Sequence, residues 1–188
     1  PKLRKLIVTL RPPSSGDDVV IGNVILLELD HLDVRCYEQL PGGSILAIVR
    51  MARSLRQLLL YTMQTALSHT EWVSIAECCP QLLSLSFWAW SLTDATLDDL
   101  CSLCPHITEL GMGLNSSITD AGVLFIAQRL HNLQYLRFAQ CQQLTDLSLV
   151  HIDTHCKKLR TLTLLGCPLV SPSAVFKLQV KLQQKLFA

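Results

Sequence analysis

Apolar residues recur along this chain in one short pattern: an apolar position, two variable ones, a second apolar, one variable, a third apolar. It runs through Leu55, Leu58 and Leu60, then Leu82, Leu85 and Phe87, then Ile107, Leu110 and Met112, then Leu133, Leu136 and Phe138, and finally Leu159, Leu162 and Leu164. These copies start 27, 25, 26 and 26 residues apart, far too regularly for chance. Two weaker copies precede them, at Leu3, Leu6, Val8 and at Val24, Leu27, Leu29, which brings the total to seven.

Every regular copy has the same internal order. Its closing alternation has the period of a short strand with one buried face. About eleven residues after the copy begins stands a hydroxyl side chain able to cap a helix, namely Thr93, Thr119, Thr145 or Ser171. Each of the three threonines is followed by an Asp, which suits the positive end of a helix dipole. Residues 95–103, 121–130, 147–155 and 173–182 then place apolar residues at helical spacing.

One strand, one turn and one helix cannot bury an apolar face alone, so the copies must stack. The predicted fold is α/β: a solenoid of about seven repeats with a parallel sheet on its concave face and helices on its convex face. One domain is expected over residues 1–188, with degenerate repeats in 1–54, regular ones in 55–170 and a terminal helix or cap in 171–188.

The same register lists what the inner wall presents, because the variable residues around the last two apolar positions point away from the core. The first row reads Lys5, Leu26, Gln57, Ser84, Glu109, Tyr135, Thr161; the middle row Ile7, Glu28, Leu59, Ser86, Gly111, Arg137, Thr163; the last Thr9, Asp30, Tyr61, Trp88, Gly113, Ala139, Leu165. Leu59, Tyr61 and Trp88 are expected to form an exposed apolar and aromatic cluster beside small residues, flanked by Tyr135 and Arg137, with Glu109 nearby. Tyr, Trp and Arg dominate protein-binding hot spots, so these six residues are the candidate partner site. Trp88 tucked under a loop is the alternative.

The residues Cys156, Leu159, Leu162, Leu164 and Cys167, followed by a capped helix, resemble the cysteine-containing class of leucine-rich repeat. Cys79 and Cys104 match its first cysteine, Cys141 its second, and the stretches 91–94, 117–120 and 143–146 its Thr-Asp helix start. The resemblance is strong over residues 79–171 and weak over 3–78. It implies a horseshoe, and most often an F-box protein, in which the arc binds a substrate while an upstream F-box binds the Skp adaptor of a cullin-RING ubiquitin ligase. These 188 residues contain no F-box. Within the repeats, Met63, Trp90 and Asn115 stand where the second cysteine would be.

Composition narrows the function. A 49% hydrophobic chain with a net charge of +1 and interspersed charges has a core and no basic stripe for a phosphate backbone, so no nucleic acid is expected. Apolar runs such as 19–29 are too short and broken to span a bilayer, and no signal peptide opens the chain, so no membrane is expected and an intracellular, reducing compartment is. Pro1 in place of Met, with the pattern already running at Leu3, points to further sequence upstream. Eight cysteines in a chain with a large core read as reduced, buried thiols. A zinc site from Cys78, Cys79, Cys101 and Cys104, or a metal pair from His151 and His155, competes with the duller readings of repeat packing and polar surface. Gly111 and Gly113 lack the third glycine and the lysine of a phosphate loop. No catalytic motif, cofactor or metal is expected, and the chain reads as a non-enzymatic protein-binding module. A scaffold subunit of a larger assembly, such as a ciliary axonemal complex, is the second reading, and a small-ligand sensor a third.

Overall fold

The computed structural model describes residues 3–10, 29–36, 43–62, 66–89 and 92–186. Seven parallel strands form one sheet in sequence order: β1 (Lys5–Leu10), β2 (His31–Cys36), β3 (Gln57–Thr62), β4 (Ser84–Trp88), β5 (Glu109–Gly113), β6 (Tyr135–Ala139) and β7 (Thr161–Leu165). The described helices are α1 (Ser44–Arg50), α2 (His69–Cys78), α3 (Asp94–Leu103), α4 (Asp120–Arg129), α5 (Asp146–His155) and α6 (Pro172–Leu186). The result is an α/β repeat stack in which each strand pairs with the next and each helix packs on its neighbour.

Pairing is in register from end to end, so that Leu58 faces Leu85, Leu85 faces Leu110, Leu110 faces Leu136 and Leu136 faces Leu162. The apolar pattern thereby becomes continuous rows, with Leu58, Leu60, Phe87, Met112 and Phe138 all fully buried under the helices. Removing a methylene-rich member of such a row, as in Leu136→Ala, costs about 2–5 kcal/mol because neighbours on both sides are fixed.

The second copy of the pattern lies elsewhere than the sequence suggests. β2 begins at His31, and its apolar set is Leu29, Leu32 and Val34, not Val24, Leu27 and Leu29. The inward-pattern residues of this repeat are therefore His31, Asp33 and Arg35, which replace Leu26, Glu28 and Asp30 in the three rows. The corrected strands begin at 5, 31 and 57, so the strand ladder is as regular here as later. Two equally apolar frames overlap in residues 24–34, and the pairing of His31 with Lys5 and Gln57 selects the later one. Residues 11–17, Pro41, Gly42, Met63 and Trp90 lie outside the described residues.

Caps hold the helices and also lock the repeats. Thr93, Thr119, Thr145 and Ser171 each accept a backbone N–H of the first helical turn, as predicted. The Asp after each threonine does more than suit the dipole. Asp94 accepts from the backbone and hydroxyl of Thr119 at 2.9 and 2.6 Å, Asp120 from those of Thr145 at the same distances, and Asp146 from those of Ser171 at 2.7 and 2.8 Å. Each carboxylate thus fastens its own helix to the cap of the next. Asn115, fully buried at the second-cysteine position, works similarly: its amide donates to the Ala89 carbonyl at 3.2 Å, and its oxygen accepts from the Ser117 and Ile118 N–H groups.

Candidate functional site

One face of the sheet is covered by helices, and the other is open to solvent or half-buried by its own side chains. Alternation places Gln57, Leu59 and Tyr61 of β3 on that open face, then Ser84, Ser86 and Trp88 of β4, Glu109, Gly111 and Gly113 of β5, and Tyr135, Arg137 and Ala139 of β6. All six candidate residues, Leu59, Tyr61, Trp88, Glu109, Tyr135 and Arg137, therefore share it. Glu109, Tyr135 and Arg137 are exposed, whereas Leu59, Tyr61 and Trp88 are half-buried rather than fully exposed.

The half-burial comes from stacking. The Tyr61 and Trp88 rings lie 4.5 Å apart at 10°, close to parallel, and such a pair contributes about 0.5–1.5 kcal/mol beyond its buried area. Arg35 sits over the outer face of this pair, 5.7 Å from the Tyr61 centroid, and Arg137 lies 5.6 Å from that of Trp88. A cation–aromatic–aromatic–cation row thus crosses the sheet from β2 to β6.

Glycine makes the row possible. Trp88 is on β4 and Arg137 on β6, so a side chain on β5 would stand between them. Position 113 carries none, and a Cβ built there would fall 2.6 Å from Trp88 Nε1 and 2.8 Å from Cδ1. Gly111, two residues earlier on the same face, leaves room in the same way, its ideal Cβ falling 2.9 Å from Ser86 Oγ. Both glycines lie inside the strand, Gly113 forming the seat on which the indole rests and Gly111 leaving room for the Ser86 hydroxyl.

The two arginines differ in charge environment. Arg35 is bound three ways by Asp33, through Nε at 3.1 and 3.2 Å and Nη2 at 2.8 Å, and that carboxylate is buried. Arg137 has no hydrogen bond or ion pair with any described residue, and it lines an open hollow of about 200 Å³ on the sheet together with Trp88, Gly111, Tyr135 and Thr163. Neither Arg35 nor Asp33 was assigned to this face by the sequence. Their signal was present in the Leu29, Leu32, Val34 spacing, 26 residues from Leu3 and from Leu55.

The cysteines line the repeat junctions. Cys104 Sγ donates to the carbonyls of Ala76 and Cys79, so adjacent first-cysteine positions share one small buried ladder. Burial pushes the Cys79 thiol up to about 12 and that of Cys104 to about 11. Among the described residues, no group of three or more His, Cys, Asp and Glu side chains is placed to hold a metal ion. Among those residues, too, no helix is long and apolar enough to cross a membrane.

The fold and this face together define the class of the chain as an α/β repeat stack with one sheet face that the described helices leave uncovered. No family model matches the chain.

Proposed function

We propose that this chain is a leucine-rich-repeat horseshoe whose concave sheet face captures a protein partner. Strands about 4.8 Å apart alongside helices roughly 10 Å wide force such a stack to curve toward the sheet, and the 26-residue unit with its cysteine and Thr-Asp positions supports the repeat class. The observation that carries the reading is the row of Arg35, Tyr61, Trp88 and Arg137, pre-stacked on a glycine seat. Rigid aromatic and arginine side chains lose little freedom on binding, which is why they anchor interfaces. The repeat's resemblance to those of F-box proteins supports substrate recognition for a cullin-RING ubiquitin ligase, the Skp adaptor and cullin being engaged by sequence beyond these residues.

Comparing partner capture by the wild-type chain with that by a Trp88→Ala, Arg137→Glu double variant tests the binding face. Specific partners are lost from the variant while its melting temperature stays within a few degrees, since both side chains lie on the open face. Unaltered capture contradicts the reading. Co-purification of the full-length gene product with a Skp adaptor and cullin tests the ligase setting, and their absence removes it.

A further inference from the structure

The hollow beside the aromatic row has a chemistry of its own. Arg137 is the cation on its rim, and Trp88 lies against that guanidinium. A guanidinium held over a ring by charge–quadrupole attraction, here with its carbon 5.6 Å from the indole centroid, keeps its N–H groups available to an acceptor. The hydroxyls of Ser86, Thr161 and Thr163 also line the hollow, and none has a hydrogen-bond partner among the described residues. Gly111 beneath them has no side chain and is buried, and the Ser86 hydroxyl fills the space a Cβ would take there, so an incoming group meets that hydroxyl.

We propose that this hollow receives the carboxylate of an Asp or Glu side chain from an extended partner peptide, with Arg137 as its anchor and the Trp88–Tyr61 row receiving the apolar residue beside it. The inference rests on the sheet-face binding reading above and names its chemistry.

Charge selects the occupant. Arg35 is already neutralised by Asp33, which leaves Arg137, among the described residues, as the open-face arginine free to meet an anion at the centre of the sheet. Glu109 stands on the opposite rim of the same hollow. A carboxylate meets half the repulsion from Glu109 that a phosphate dianion meets, and its two oxygens match the planar fork of the Arg137 guanidinium. The hollow is an open trough, so a small free acid would bury little surface, whereas a peptide laid across the strands adds contacts to Tyr135 and the stacked rings.

The test uses resin-bound synthetic nonapeptides with randomised flanks and a fixed central Glu, Gln, phosphoserine or Lys, probed with the fluorescently labelled chain. The Glu set retains about ten times more chain than the Gln set, the scale of one charge-assisted hydrogen-bonded pair. Arg137→Gln abolishes that preference, Arg137→Lys restores part of it, and circular dichroism shows both variants folded. Equal retention on Glu and Gln, with dependence on Trp88 intact, overturns the acidic anchor but leaves the binding face standing. Phosphoserine above Glu also overturns it, in favour of a phosphopeptide. Retention on every set equal to that of Trp88→Ala overturns the binding face along with it.

Discussion

Gly113 has no side chain, and Trp88 fills the space that one would take. In Gly113→Ala the new methyl collides with the rigid indole, so the ring must leave its seat and its stack with Tyr61. Intrinsic fluorescence and near-ultraviolet dichroism report the change, and partner capture falls as in Trp88→Ala; an unchanged aromatic signature contradicts the seat. A second residue-scale prediction concerns Cys167. Its thiol is held below the ordinary thiol value, chiefly by hydrogen bonding with the Cys141 thiol, against the opposing effect of burial. At pH 7 iodoacetamide therefore labels Cys167 well ahead of Cys79 and Cys104, and Cys141→Ala returns it toward the ordinary thiol value of about 8.5. Peptide mass spectrometry reads the order, and labelling of Cys79 first contradicts it. Gly113 and Cys167 illustrate what is hidden at this scale. The register placed both correctly, but the indole over one and the thiol pairing of the other depend on contacts with the next repeat, which no local pattern encodes.

At the scale of elements, the Thr-Asp steps join what each helix needs with what the stack needs. Asp120 accepts from Thr145 and Ser148 of the following repeat through both backbone and hydroxyl groups. Burial opposes its ionisation, yet those hydrogen bonds hold its carboxyl below the usual range. Glu71 is lowered as well, first by the Ser68 N–H it receives in a capping box, with Gly43 N–H bonding it from the preceding helix. Since both carboxyls titrate lower in the folded state than in the unfolded chain, their stabilisation is complete above the ordinary carboxylate range. It is lost as the pH falls through that range toward the lowered values. Asp120→Ala costs about 1–3 kcal/mol at neutral pH and flattens the acid limb of the stability curve. Denaturant titrations from neutral to acid pH measure both, and a variant with an undiminished acid limb contradicts the role. The strands from 55 onward and the helices from α3 onward were legible because one apolar frame fits there, whereas α2 was not read. Residues 24–34 offered two, and β2 was placed five residues early in consequence. Ser68 was missed although Ser-x-x-Glu before an apolar run is itself a helix-start signal, because its repeat departs from the Thr-Asp form.

At the scale of the whole molecule, stability is a sum over neighbours, because the main contacts among the described elements join each repeat to the ones beside it. Asn115 is a junction of this kind, buried between the chain at Ala89 and its own turn. Asn115→Ala leaves the Ala89 carbonyl and two turn N–H groups without partners and costs about 2–4 kcal/mol. Hydrogen exchange should speed mainly in the repeats on either side of the change, while β2 and β3 keep their protection. Uniform acceleration across the sheet contradicts neighbour-limited coupling. The stacked architecture was readable in outline from the 26-residue spacing alone. The open face was readable from the register for every strand but β2, and that Arg35 joins the row across it emerged only from the pairing of β2 with β1 and β3.

The most direct test of the central claim, that side chains from successive repeats compose one partner-binding surface, is site-specific photo-cross-linking. A benzophenone side chain is introduced singly at Leu59, Ser86 or Tyr135 on the open face of three different strands, and at Ala121, Gln128 or Thr154 on exposed helix positions. All three sheet-face positions capture the same partner, and the helix positions capture none of it. Capture from the helix side, or of different partners from the three strands, contradicts a single continuous binding face.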